Sequence, residues 1–451
     1  MARLARPIAT VLGVAVAAVF SACAHTGAVP SATSFDARTA NAGVAHSLAG
    51  RWEGLAREPG IAPLRLTITL DSVDGAWRGA FLAPAVDTQT IPFASVAHTQ
   101  DSIILRLPES AQNAVLRGRL SADGLRLDGI IETSEAGVTF STARAGTADA
   151  DALVAEVTRV VASRRLAAQM ADAASADSSV AAPYTDPDSA KLITSDVPLF
   201  WAAVDHAPPD SLAEYLQREY LDRSSVGVRD FIRGRIMSAE DLAAYVRSYR
   251  ARYDAVRAAN VDITQAESGI HAAFRKLKAI YPPAVFPDVY FVMGRFNSGG
   301  TSSKHGLLIG AEMYRDPSRL PAIVAHELIH FQQHYDSRTL LQGAFAEGSA
   351  DFVGELISGA QINNAAHTYG LAHEHELWRE FTQHFDDRSF YPWMYGTPRD
   401  GRPNDLGYFI GYRIAQAYYN RMTDKAQAIR DIITGNGGDV KTLLARSGYD
   451  P

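Results

Sequence analysis

Ala325-His326-Glu327-Leu328-Ile329-His330 lies inside an apolar stretch that includes Ile323 and Val324. Its reading decides the C-terminal fold. On a helix, residues i and i+4 share one face, so the His326 and His330 imidazoles can reach one metal ion. Glu327 sits about a quarter turn round, where it can touch a water at the metal rather than the metal itself. The apolar neighbours predict a buried helix rather than a solvated one.

A zinc site that performs hydrolysis needs three protein ligands and one open position. His326 and His330 supply two. Ala346-Glu347-Gly348-Ser349-Ala350-Asp351-Phe352 follows at a distance that lets one helix end, a loop reverse, and a second helix pack against the first. Glu347 is then the third ligand. Asp351, one turn on, can accept the free ring N–H of a ligand histidine and fix its tautomer. Asp336 is the competing third ligand, because metzincin-like sites place it six residues past the second histidine. Those sites also need a glycine three residues past that histidine, and here the residue is Gln333, a helix former. His334 lies about 12 Å along the axis from His326, too far to share the ion.

His326 to Gln333 and Glu347 to Phe352 resemble the gluzincin pattern of thermolysin-like peptidases. They are more similar to uncharacterised bacterial families of predicted zinc-dependent proteases of gluzincin type. Arg402 to Tyr412 is a weaker third block. The resemblance covers the C-terminal region and none of the N-terminal one. Thermolysin-like enzymes carry Asn before the ligand glutamate, where this chain has Ala346. The resemblance implies a mainly helical zincin-like domain, one Zn²⁺, Glu327 as general base and a peptide or protein substrate. Tyr408 and Tyr412, near Arg413 on a helix opened by Pro403 and Asn404, are the candidates for a second oxyanion donor. Gly306 to Gly310 reads as a strand whose edge can pair with an extended substrate, and the Asn297 to Thr301 turn borders the cleft. His373 and His375 have no partner at ligand spacing and read as surface residues.

The chain opens with Met1-Ala2-Arg3-Leu4-Ala5-Arg6, an apolar stretch from Ile8 to Phe20, and Ser21-Ala22-Cys23-Ala24. Residues 1–23 read as a signal peptide, too short in its apolar part to span a bilayer. Phe20-Ser21-Ala22-Cys23 fits a lipoprotein box that would place a lipid on Cys23, while Ala22-Cys23-Ala24 also fits plain cleavage. Cys23 is the only cysteine, so no disulfide can form within the chain. The expectation is an exported protein of the bacterial cell envelope, membrane-anchored through Cys23 or else periplasmic or secreted. With 43 Lys and Arg against 50 Asp and Glu, and no basic block, nucleic acid is not an expected partner.

Residues 24–47, rich in Ala, Ser, Thr and Gly, read as a flexible tether. Residues 48–147 change to short alternating runs such as Leu64 to Leu70 and Ser102 to Leu107, separated by turn residues. Trp52-Glu53-Gly54, Trp77-Arg78-Gly79, Leu116-Arg117-Gly118 and Leu127-Asp128-Gly129 repeat a glycine at similar points of successive strands. The reading is a small antiparallel β-barrel, lipocalin-like, serving as a ligand cup or as a packed docking module. Residues 148–188 form a helical linker, and residues 189–451 the mainly α metal domain with a small sheet.

Two functions fit these features. One is a zinc metallopeptidase of the cell envelope. The other is an envelope ligand-binding lipoprotein whose metal domain is structural or inactive. A structural zinc is usually closed by four protein ligands rich in Cys, and none is available.

Overall fold

The computed structural model describes residues 48–84, 89–99, 101–111, 113–132, 137–395 and 401–451. The signal segment 1–23 with Cys23 and the tether 24–47 lie outside the described residues. Among the described residues no helix is long and apolar enough to cross a membrane.

The chain forms two compact units. Among the described residues the first takes 48–166 and 240–248, and the second takes 167–239 and 249–451. The first is built on nine antiparallel strands: β1 Gly50–Arg57, β2 Leu64–Val73, β3 Ala76–Leu82, β4 Ile91–Pro92, β5 Ser95–His98, β6 Ser102–Arg106, β7 Val115–Leu120, β8 Arg126–Glu132 and β9 Gly137–Arg144. Their hydrogen-bonded order is β4-β3-β2-β1-β9-β8-β7-β6-β5. This is a curled sheet, a half-barrel by its ladder, since β4 and β5 do not pair with each other. They are consecutive in the chain, however: the Phe93 N–H donates to the Gly79 carbonyl at 3.0 Å and the Ala94 N–H to the Arg106 carbonyl at 2.8 Å, so the two ends of the ladder meet at this corner. The two-residue strand β4 ends in Pro92, which has no N–H to extend the pairing.

Alternation sends Trp52, Ile68, Ile103, Leu105, Leu116, Leu127 and Phe140 into one apolar core. The recurring glycines permit the curl. Gly118 pairs with Gly129 across β7 and β8. A Cβ on Gly129 would stand 1.9 Å from the Arg117 carbonyl oxygen, and one on Gly54 would stand 2.0 Å from that of Ser141. The strands approach there as no other residue would allow.

After β9 comes a long helix, α1 (Ala148–Ala176). Shorter helices follow: α2 (Asp196–His206), α3 (Leu212–Tyr215), α4 (Val226–Phe231), α5 (Ala239–Ser248), α6 (Arg250–Val261) and α7 (Glu267–Ile280). The second unit holds a small sheet of β10 (Leu192–Ile193), β11 (Val289–Val292), β12 (Gly300–Ser303) and β13 (Gly306–Gly310), in the order β10-β11-β13-β12. β13 pairs parallel with β11 and antiparallel with β12. This corrects the reading of Gly306 to Gly310 as an edge. Those residues are all buried between two neighbours, and the edge strand is β12.

Next come α8 (Leu320–Gln332), α9 (Leu340–Ser358), α10 (Asn364–Ala372), α11 (Glu374–Phe381), α12 (Leu406–Arg421), α13 (Lys425–Ile433) and α14 (Val440–Ser447). α8 begins with Pro321 in its first turn and is buried from Ala322 to Ile329. α9 begins with a capping box, in which Thr339 accepts from the Gln342 N–H and Gln342 accepts in return. It ends at Gly359, whose φ of 86° suits the left-handed C-terminal cap. α9 crosses α12 at glycines: a Cβ on Gly348 would stand 2.1 Å from the Tyr412 nitrogen, and one on Gly411 1.8 Å from the Ala344 oxygen.

Candidate metal centre

His326 and His330 lie one turn apart on α8, and Glu347 and Asp351 one turn apart on α9. His330 meets Glu347 while His326 meets Asp351, so the two helices run antiparallel. The Nε2 atoms of His326 and His330 are 3.0 Å apart. Glu347 Oε2 lies 3.0 Å from His330 Nε2 and 3.4 Å from His326 Nε2. Donor atoms about 2.0–2.1 Å from a tetrahedral ion stand about 3.3 Å from one another. The observed triangle therefore matches a zinc-sized ion, and these three side chains form the one metal-competent cluster among the described residues.

The opposite ring nitrogens fix the tautomers. His326 Nδ1 is 2.7 Å from Asp351 Oδ1, an oxygen that only accepts, so Nδ1 carries the proton. Asp351 Oδ2 in turn accepts from Asn363 Nδ2 at 2.6 Å. His330 Nδ1 donates to Gln333 Oε1 at 2.8 Å, while Gln333 Nε2 donates to the Ala346 carbonyl and to Ser349 Oγ. Both Nε2 lone pairs are thereby turned toward the shared centre.

The electrostatics also suit a cation. Burial opposes charge on His326, yet Asp351 and Glu347 outweigh it and hold its pKa well above the ordinary value. Burial likewise opposes charge on His330, and Glu347 reverses the direction. Burial alone would raise Glu347, but His330 and His326 hold it well below the ordinary carboxylate range. The pocket is thus arranged around positive charge.

Glu327 projects beside this cluster without joining it. Burial first, and the Glu347 charge in addition, raise its carboxyl above the ordinary value, while the two histidines pull it down. Gly300, the first residue of edge strand β12, lies directly against it. The expectation that the Asn297 to Thr301 segment borders the site therefore has a physical counterpart at Gly300.

The two tyrosines named from sequence separate. The Tyr408 ring stacks parallel to His326, with centroids 6.3 Å apart. The Tyr412 hydroxyl instead donates to Glu355 Oε2 at 2.9 Å, and its ring packs on Phe352 and His367. It is not brought to the cluster. Tyr395 is: its hydroxyl donates to Glu347 Oε1 at 2.6 Å, and its ring meets that of Tyr408 edge to face, with centroids 6.4 Å apart. Tyr395, Gln333 and Asn363 were not singled out from sequence. Of these only Gln333 carried a signal, read as a helix former three positions past His330; instead α8 ends at Gln332, and Gln333, in an extended conformation, turns its side chain back to His330. Asp336, the competing ligand, is exposed and paired with Arg338, away from the cluster.

A family model described as a predicted Zn-dependent protease (DUF2268) matches residues 292–433. The matched stretch runs from the end of β11 through the edge strand, both metal-site helices and α12. No curated protein and no solved structure matches the chain. The donor cluster is compatible with zinc, in line with that family's description.

Proposed function

We propose that the chain is a zinc metallopeptidase of gluzincin type. It hydrolyses peptide bonds in peptides or proteins of the bacterial cell envelope. The observation that carries this reading is the placement of Glu327, a buried carboxylate with a raised pKa, between the donor triangle and the edge strand β12. A purely structural metal site has no use for such a group.

His326, His330 and Glu347 would hold the ion. When bound, zinc supplies Lewis acidity, which lowers the pKa of a water and polarises a carbonyl oxygen. Glu327 takes a proton from the attacking water as its oxygen bonds to the peptide carbon. As the C–N bond breaks, Glu327 returns that proton to the leaving amine. Burial raises the Glu327 carboxyl above its ordinary value, which makes it a stronger base for this exchange. β12 pairs only on its β13 side among the described residues, so its free edge can align an extended substrate backbone beside Glu327. Export and a lipid on Cys23 remain part of the proposal and would put this activity at the membrane surface.

The test compares wild type with Glu327→Gln on a mixed peptide library, with zinc measured in both. The expected result is equal zinc and a loss of turnover of about 10²- to 10⁴-fold, the range that a general base contributes. Equal turnover in the two proteins overturns the peptidase reading. Zinc-free wild type that stays zinc-free on titration overturns the metal reading as well, and leaves the envelope ligand-binding alternative.

A further inference from the structure

The Glu347 carboxylate has two oxygens, and they face different partners. Oε2 points at both imidazole Nε2 atoms. Oε1 accepts a 2.6 Å hydrogen bond from the Tyr395 hydroxyl. We propose that Tyr395 is a positioning residue for Glu347: by occupying Oε1 it leaves Oε2 alone to meet the metal ion. The inference rests on the zinc reading of the site and adds a role that the ligand set does not itself contain.

The reason is coordination number. A carboxylate can bind a cation through one oxygen or through both. Bound through both, Glu347 would fill the position that hydrolysis needs for water. A donor fixed on Oε1 removes that option and also stops the carboxylate from rotating.

The backbone fixes Tyr395 in place. Its φ is 58°, in the left-handed region, which a non-glycine residue adopts only at a steric cost. A conformation of that kind persists only where surrounding contacts impose it. Here the Tyr395 N–H donates to Asp405 Oδ1 at 3.2 Å, and Asp405 itself has a φ of 61°. The preceding residues are pinned by Met394 N–H to the Phe390 carbonyl and by Gly407 N–H to the Trp393 carbonyl, each at 2.9 Å. The start of α12 therefore clamps the loop that carries Tyr395. The Tyr408 ring meets the Tyr395 ring edge to face, with centroids 6.4 Å apart, so α12 also packs against the phenol that bonds Glu347.

The experiment uses the full chain, loaded with Co²⁺ as a spectroscopic probe and with Zn²⁺ for affinity. Wild type, Tyr395→Phe and Asp405→Ala are compared. Four-coordinate Co²⁺ absorbs visible light several times more strongly than five- or six-coordinate Co²⁺. The expected result is strong absorption in wild type and a clear loss of intensity in Tyr395→Phe. Zinc affinity measured against a competing chelator should fall about 10- to 100-fold, the range for groups that orient a ligand. Asp405→Ala, which frees the Tyr395 backbone, should move both readouts the same way by a smaller amount. Tyr395 is 49 % exposed, so the phenylalanine variant loses little packing, and an unchanged apo-protein melting curve checks this.

An unchanged cobalt spectrum and zinc affinity in Tyr395→Phe overturn the inference while leaving the peptidase reading intact. A wild type that binds neither metal overturns both. A shifted spectrum in Tyr395→Phe alongside full activity of Glu327→Gln supports the inference and overturns the peptidase reading.

Discussion

Gly300 and Glu327 touch so closely that a Cβ at position 300 would stand 2.4 Å from Glu327 Oε1 and 2.5 Å from its Cγ and Cδ. The contact joins the edge strand of the small sheet to the candidate base. In the proposed peptidase it would set how closely a strand paired with β12 approaches Glu327.

Gly300→Ala is therefore expected to displace Glu327 rather than to strain the backbone. A misplacement of about 1 Å costs about 100-fold in rate. The expected result is a fall in kcat/KM of about that size with zinc content unchanged, checked by peptide assay and metal analysis. A variant with full activity would mean that the carboxylate does not work from this position.

Asp351→Ala removes the acceptor that holds the His326 tautomer. Zinc affinity should fall about 10- to 100-fold. Asp351→Asn keeps an acceptor oxygen and should fall less. Competition with a chelator measures both, and equal losses would show that charge, rather than orientation, is what Asp351 supplies.

The crossing of α9 and α12 has no room for a methyl group. Gly348→Ala or Gly411→Ala pushes a Cβ to within 2.1 Å or 1.8 Å of backbone atoms on the opposing helix. Neither helix can yield locally, so each substitution should destabilise the second unit by about 3 kcal/mol. Urea titration gives the stability, and zinc retention reports whether Glu347, next to Gly348, has moved.

Glu312 gives a pH signature away from the metal. It is fully buried, and Phe296 N–H donates to its Oε1 at 3.3 Å. Burial pushes its carboxyl up to about 7, against an ordinary value of 4.5, although hydrogen bonds from the Gly294 and Phe296 backbone pull it down. The folded state thus binds this proton more tightly than the unfolded state does. Its contribution is fully present below about pH 4.5, is lost as pH rises through about 7, and then levels off. The size is at most about 3 kcal/mol. Urea melts of wild type and Glu312→Gln across that range should differ in slope, with the glutamine variant lacking this decline.

The metal cluster was legible in the sequence because its residues are related by helix geometry. His326, His330, Glu347 and Asp351 occupy i and i+4 positions on two consecutive helices, so spacing alone put them on facing sides. Tyr408 and Tyr412 obey the same spacing on α12, which is why sequence could not separate the one that stacks on His326 from the one that bonds Glu355. Tyr395 left no trace, since it sits in a loop without periodicity, 48 positions from the carboxylate it meets. The sheet edge was misread for a related reason. The apolar run Gly306 to Gly310 signals a buried strand, and it is one. Which strand lies outermost depends on pairing with residues far along the chain, and the small polar residues of β12 carry no burial pattern. In the first unit, alternation identified the strands and the glycines their curl. How the ends of the ladder meet depends on the corner at Phe93 and Ala94, whose N–H groups reach Gly79 on one side and Arg106 on the other, and no periodicity announces such a corner.

The short span of the donor set bears on how the protein would respond to losing its ion. His330 and Glu347 are 17 positions apart, and His326 and Asp351 are 25 apart. An ion held there ties off one brief excursion of the chain, and its binding energy opposes every opening that separates α8 from α9, from the hairpin alone up to the whole second unit. At a thousandfold excess over its dissociation constant, it would add about 4 kcal/mol to the folded form. Chelation would thus loosen α8 and α9 first. Melting of the second unit would depend on zinc concentration, and the curled sheet around Trp52 and Phe140 would keep its own, metal-independent transition.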